Sequence, residues 1–183
     1  CWRRAMSGLR LASKLQIGGK HTINTDTVGG DHVKKEIVWP HGHQAAAMIC
    51  IMLDAEFIWL GMDPEKYDTP KHRSMGEYGP RRGINRILEA LDRFQVKATF
   101  FAPGIFAETY PAQLQEIAEA GHEIALHGYR HEDFGGLSKE QQQSVLNRGA
   151  KAIEQTIGRM PVGFRLPEGG CTEETLTLIQ QAG

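Results

Sequence analysis

The chain has 183 residues, 40% of them hydrophobic and 23% charged, with a formal net charge of −1. That is the balance of a folded domain with a core of its own. Near neutrality argues against nucleic acid or an anionic membrane surface as the main partner. The longest apolar run, residues 45–53, is far too short to span a bilayer.

Residues 1–20 are basic and mildly amphipathic, without the long apolar stretch of a secretory signal. Residues 1–35 are expected to form a flexible extension, punctuated by Gly29-Gly30-Asp31. Cys1, Cys50 and Cys171 are odd in number and form no Cys-x-x-Cys pair, so they imply neither a disulfide framework nor a cysteine zinc site. This usage fits a reducing, cytoplasmic compartment.

From residue 36 the pattern turns to strand-like and helix-like segments in alternation. Residues 45–53 read as a buried strand, and residues 57–80, rich in Gly, Pro and charge, as a long loop. Ile84, Ile87, Leu88, Leu91 and Phe94 recur at helical spacing over residues 83–94. Residues 98–102 form a second strand, ended by Pro103-Gly104. Pro111 opens a helix that Gly121 closes, and residues 123–126 form a third strand. Ser138 and Gln141 make a capping box for a helix that runs to Gly158. Residues 162–165 read as a short fourth strand, and Thr172 caps a last helix. Strands alternating with helices predict an α/β fold with a parallel sheet or barrel. With no closing strand before Gly183, only about the first half of a barrel is expected.

In βα folds, functional groups gather at the C-terminal ends of strands. Here those ends carry Asp54-Ala55-Glu56, His127-Gly128-Tyr129-Arg130-His131 and Arg165-Leu166-Pro167. The two imidazoles can converge across one helical turn or around a tight loop. With Asp54 they make a three-ligand set for zinc or a similar divalent ion, leaving positions open for water and substrate. Glu56, two residues after Asp54, is the candidate to take a proton from water. Its alternative is a solvated or supporting acid. Arg165 is a site residue or the partner of a structural carboxylate. Glu77 and Tyr78 line a cleft or simply occupy a Gly-flanked turn. The remaining histidines read as ordinary polar residues; His41-Gly42-His43 precedes its strand and so lies at the wrong end.

In that order, Asp54-Ala55-Glu56, His127 to His131 and Phe164-Arg165-Leu166-Pro167 resemble the motifs of polysaccharide deacetylases of the NodB-homology type, carbohydrate esterase family 4. Trp39-Pro40-His41-Gly42, Gly76-Glu77-Tyr78-Gly79 and the run from Ala98 to Gly104 resemble the branch holding peptidoglycan deacetylase-like proteins and allantoinase relatives. The resemblance covers residues 36–183. It implies a distorted (β/α) barrel and metal ligation by Asp54, His127 and His131. It further implies hydrolysis of acetyl groups from an N-acetylated carbohydrate, a peptidoglycan or chitin-like oligomer. Glu56 and Arg165 would be catalytic, and Glu77, Tyr78 and Pro167 would meet substrate. A homo-oligomer is left open.

Two departures stand out. Where the first motif commonly has a second acid, this chain reads Met52-Leu53-Asp54, with Met52 in place of the acid of an Asp-x-Asp-Ala-Glu relative. The later motifs, with an acetyl pocket and a catalytic His, would lie beyond Gly183, so these residues alone are expected to be poor catalysts. Two other readings remain: a small-ureide hydrolase, against which the intact Asp-His-His set argues, and a non-catalytic carbohydrate- or partner-binding remnant.

Overall fold

Three short apolar segments build the centre of the molecule. In the computed structural model, which describes residues 42–182, β1 (Cys50–Met52), β2 (Thr99–Ala102) and β3 (Glu123–Leu126) form a parallel sheet in the order β1-β2-β3. Ile51 pairs with Phe100, and Phe101 with Ala125. The expected extension over residues 1–35 and the first three residues of the Trp39-Pro40-His41-Gly42 motif lie outside the described residues. From Met48 onward the chain packs as one compact unit.

β2 is buried along its whole length: Phe100, Phe101 and Ala102 are apolar, and the Thr99 hydroxyl donates to Glu123 Oε2 at 2.6 Å. β1 differs from expectation. It is three residues long rather than nine, only half-buried, and at the edge of the sheet among the described residues, with Met48 61% and Ile49 42% exposed. An apolar run cannot say which of its residues find a strand to pair with. The expected fourth strand contracts to a single parallel bridge, Leu126 to Phe164. Pro161 and Pro167 flank it, and a proline has no N–H to give a ladder.

The largest correction concerns residues 57–80, expected to be a loop. They form α1 (Phe57–Met62), α2 (Pro64–Tyr67) and α3 (Pro70–Tyr78). Pro64 and Pro70 start helices rather than break them, sitting where an N–H would go unused. Asp63 and Thr69 cap them by accepting from Lys66 N and His72 N. A wide turn, Gly79–Gly83, leads into α4 (Ile84–Arg93), whose inner face carries buried Ile84 and Leu91.

Beyond β2, Pro103 ends the strand as expected and opens α5 (Gly104–Thr109), a helix that the sequence pattern did not predict; α6 (Pro111–Glu119) follows. Gly121 ends it at φ +78°, as expected. α7 (Lys139–Ile157) begins with the capping box at Ser138 and stops at Gly158, φ +74°; α8 (Glu173–Gln181) is capped by Thr172. The core joins Phe100, Phe106, Leu114, Ile117, Phe134 and Ile153, all fully buried, between sheet and helices.

Two close approaches aim the site. A Cβ on Gly104 would stand 2.7 Å from Gly149 Cα, and one on Gly149 would stand 2.7 Å from Gly128 O. α7 therefore presses on α5 and on the loop after β3, and only glycine permits it at either position. A buried polar knot ties α7 to α8. Gln142 donates to Phe134 O, Leu137 O and Thr172, and accepts from Thr175 at 2.6 Å.

Candidate metal centre

Parallel pairing in register brings the strand ends to one rim, so Asp54 after β1 and His127 at the end of β3 face a common space. His127 continues the ladder through its N–H to Ala102 O at 3.0 Å. The chain then turns tightly through Gly128, φ +71°, to His131, φ +65°. Of the two geometries the spacing allowed, the loop is the one present. Glu132 clamps it, accepting from Tyr129 N at 2.9 Å and Arg130 N at 2.8 Å. The first N–H groups of α5, which have no partner within their helix, donate to Gly128 O and Tyr129 O at 3.0 and 2.9 Å.

α1 and α3 close the other side. A Cβ on Gly61 would collide with Arg130 O, and one on Gly76 with the backbone of Glu56. The segment read as a loop is thus a rigid wall against both metal-candidate strand ends.

The geometry is compact. His127 Nε2 lies 3.5 Å from Asp54 Oδ1, and His131 Nε2 lies 3.8 Å from Asp54 Oδ2. One potential ligand atom from each residue falls within 4.8 Å of the others. Both imidazoles are only 4% exposed, and the Asp54 side chain 18%. His127 Nδ1 donates to Arg165 O at 2.8 Å, which places the proton on Nδ1 and turns the Nε2 lone pair towards Asp54.

Burial raises the Asp54 pKa above the ordinary 3.8, against the pull of His127 and His131. Burial likewise lowers the His127 pKa below 6.5, opposed by the Arg165 carbonyl and Asp54. Among the described residues, Asp54 Oδ1 and His131 Nδ1 are the buried side-chain polar atoms with no hydrogen bond. A carboxylate that resists ionisation, a neutral imidazole and an unmet buried oxygen are jointly relieved by a cation. The set fits a divalent ion such as zinc.

The trio opens on a cleft of about 450 Å³. Met52, Ile58 and Leu166 supply apolar wall, and Arg165 and Glu168 supply charge. Glu168 holds a left-handed backbone at φ +52°, and its Oε1 lies 3.6 Å from His131 Nδ1. The sequence reading passed over it. The rule that strand ends carry function, applied three residues past Arg165, would have found it.

Several expected site residues lie elsewhere. Glu56 is 6% exposed, caps no cleft, and accepts the Tyr110 hydroxyl on both oxygens at 2.9 and 3.0 Å. It is not among the residues lining the cleft. Asp54 is followed by a bend, with Ala55 at φ +48°, so the alternation that would put the two acids on one face is broken. Glu77 pairs with Arg81 at 2.6 Å, and Tyr78, 53% exposed, accepts from Arg86. Neither lines the cleft. Pro167 is fully buried under the histidine loop, where a Cβ on Gly128 would stand 3.1 Å from its Cγ. Arg165 does line the cleft.

Comparison with known proteins gives a consistent answer. The polysaccharide deacetylase family profile matches residues 75–183. A peptidoglycan deacetylase-like protein of Gibberella zeae is 36% identical over 138 residues, 74% of this chain and 41% of that protein. A Mycobacterium smegmatis structure assigned to the polysaccharide deacetylases superposes with a TM-score of 0.77 at 39% identity, over 80% of this chain and 51% of that one. A Bacillus anthracis structure described as a CE4 family pseudoenzyme superposes with a TM-score of 0.53 at 27% identity, covering 54% of this chain and 35% of that one. The chain thus spans about half or less of these proteins' lengths. Its parallel sheet, its helix order and its profile match make this chain a member of the polysaccharide deacetylase family.

Proposed function

We propose that the chain carries the metal centre of a hydrolase that removes acetyl groups from an N-acetylated carbohydrate, a peptidoglycan or chitin-like oligomer. The observation that carries this reading is the Asp54-His127-His131 cluster, with two buried histidines, a half-buried aspartate and unmet polar atoms, lining an open cleft. The Gibberella zeae relative, named peptidoglycan deacetylase-like, supports the substrate class.

Asp54, His127 and His131 would hold the cation. Bound there, a divalent ion supplies Lewis acidity, polarising a carbonyl oxygen and making water acidic enough to react near neutral pH. The chain's own part is orientation. The Arg165 carbonyl keeps the His127 proton on Nδ1. The Arg165 guanidinium stands at the cleft, where positive charge favours an oxygen that gains negative charge as an acetamide carbon becomes tetrahedral. Met52, Ile58 and Leu166 give the acetyl methyl an apolar wall.

The test is acetate release from N-acetylglucosamine oligomers by the full chain, with and without a chelator, alongside zinc content in the wild type and His127→Ala. Bound metal lost in the variant, and activity lost with the metal, support the proposal. Activity indifferent to thorough metal removal contradicts it.

One observation favours a second reading. Met52 occupies the cleft two residues before Asp54, and the cleft's one carboxylate outside the metal cluster, among the described residues, is Glu168. A site with metal ligands but without an acid at that point binds substrate better than it turns it over. A Bacillus anthracis neighbour, 27% identical, is itself described as a CE4 family pseudoenzyme, which supports this alternative. Sugar binding with no acetate release would favour this alternative.

A further inference from the structure

Two imidazoles face Asp54, yet their outer nitrogens are treated differently. His127 Nδ1 is hydrogen-bonded to Arg165 O at 2.8 Å. His131 Nδ1 is buried and has no hydrogen bond. The charged group beside it is the Glu168 carboxylate, with Oε1 at 3.6 Å. Glu168 belongs to the same short segment as Arg165, and both line the cleft.

For His131 to present a lone pair on Nε2 towards Asp54, its proton must sit on Nδ1. That proton needs an acceptor, because a buried donor left unmet is costly. The Glu168 side chain is 44% exposed, so it can close the remaining distance by a rotamer change. Its backbone, at φ +52° and followed by Gly169 at φ +81°, turns the segment back over the histidine loop. A non-glycine residue held left-handed at the cleft signals a side chain retained for its position.

We propose that Glu168 is a positioning residue: its carboxylate accepts the Nδ1–H of His131 and locks that ring with Nε2 towards Asp54. The segment from Arg165 to Glu168 then sets both rings at once, through a backbone carbonyl for His127 and a carboxylate for His131. This rests on the metal-centre reading above. Groups in this outer position alter metal affinity by roughly 10–100-fold when removed, without touching the ion.

The experiment measures the zinc dissociation constant of the full chain by competition with a chromophoric chelator, for wild type, E168A, E168G and E168Q. E168G removes the carboxylate while suiting the left-handed backbone, so a common effect in E168A and E168G cannot be a folding artefact of strain. Both are expected to weaken zinc by roughly 10–100-fold. E168Q keeps a neutral acceptor and falls between them and wild type. Nitrogen-15 NMR of the metal-free protein should report His131 as the Nδ1–H tautomer in wild type and a mixture in E168G, a change that looser packing alone would not produce. Zinc affinities of E168A and E168G within about threefold of wild type, well below that range, overturn the inference. So does E168Q binding as weakly as E168A, since that would make Glu168 a direct anionic ligand. Wild type that takes up no zinc overturns the metal-centre reading and this one together, whereas normal wild-type binding with indifferent variants sinks this one alone.

Discussion

Replacing Asp54 with Asn should make the metal-free protein more stable while abolishing its response to zinc. Asp54 Oδ1 is buried with no hydrogen bond, and burial raises the carboxyl pKa. Asn is nearly isosteric, carries no charge and can donate to the imidazole lone pairs it faces. Relieving one unmet buried group is worth about 1 kcal/mol, at the low end of the usual range. For a chain of this size that corresponds to a rise of about 2–4 °C in Tm. Zinc at about a hundred times its Kd stabilises a binding protein by about 2.7 kcal/mol. Wild type should therefore gain about 5–11 °C on adding zinc, and D54N close to nothing. The sign with pH is fixed too. A carboxyl whose folded pKa is raised contributes stability below its unfolded pKa that is lost as pH rises through the folded value. The metal-free advantage of D54N is then greatest at neutral pH and shrinks as the solution is acidified. Scanning calorimetry with chelator and with zinc, at neutral and mildly acid pH, measures all three. A metal-free D54N melting below wild type, or a zinc shift that survives the substitution, would refute the reasoning.

Gly76→Ala drives a methyl group into the Glu56 backbone, so α3 must shift against the segment that carries Asp54. Overpacking of this kind costs about 1–3 kcal/mol, read in urea denaturation, and zinc affinity should fall with it; zinc binding at full strength would detach these helices from the site. His122, whose pKa burial and then Lys97 hold below 6.5, stays neutral in the folded protein while the unfolded chain takes up a proton. Stability should therefore decline as pH falls below about 6.5, and His122→Gln should flatten that slope in pH-dependent denaturation. Met52→Asp puts an acid in the cleft beside the metal ligands. If proton transfer is what the site lacks, acetate release should rise roughly a hundredfold or more; an unchanged rate in a zinc-loaded, folded variant would clear Met52 of that role.

The parts of the fold legible in the sequence were those governed by local chemistry. The capping box at Ser138, the stop at Gly158 and the strand at residues 123–126 stand where hydrogen-bonding and periodicity put them. Residues 57–80 failed because Pro and charge were read as breakers, whereas Pro64 and Pro70 occupy first helical positions behind caps at Asp63 and Thr69. The local signal was the capping residue directly before each proline, and the packing of Gly61 and Gly76 against the strand ends then holds these short helices in place. β1 failed in the opposite sense, since hydrophobicity measures what can be buried and pairing decides what is.

The site divides along the same line. That Asp54, His127 and His131 come together was legible because strand-end placement is a consequence of βα topology, and parallel register brings those ends to one rim. Glu56 was misplaced because two residues of spacing imply a shared face only while a strand continues, and the chain bends at Ala55. Its carboxylate instead meets Tyr110 from α6's approach, a partner 54 positions away that no spacing rule can supply. Glu168 was missed for the complementary reason: its link to the site is an ångström-scale approach to one imidazole nitrogen across a turn, set by two consecutive left-handed residues. The clustering of Asp54, His127 and His131 is thus written in topology, and the approach of Glu168 to it in side-chain direction. The second kind has to be measured atom by atom, which is why the distance from Glu168 to His131 carries more about this centre than any motif that contains them.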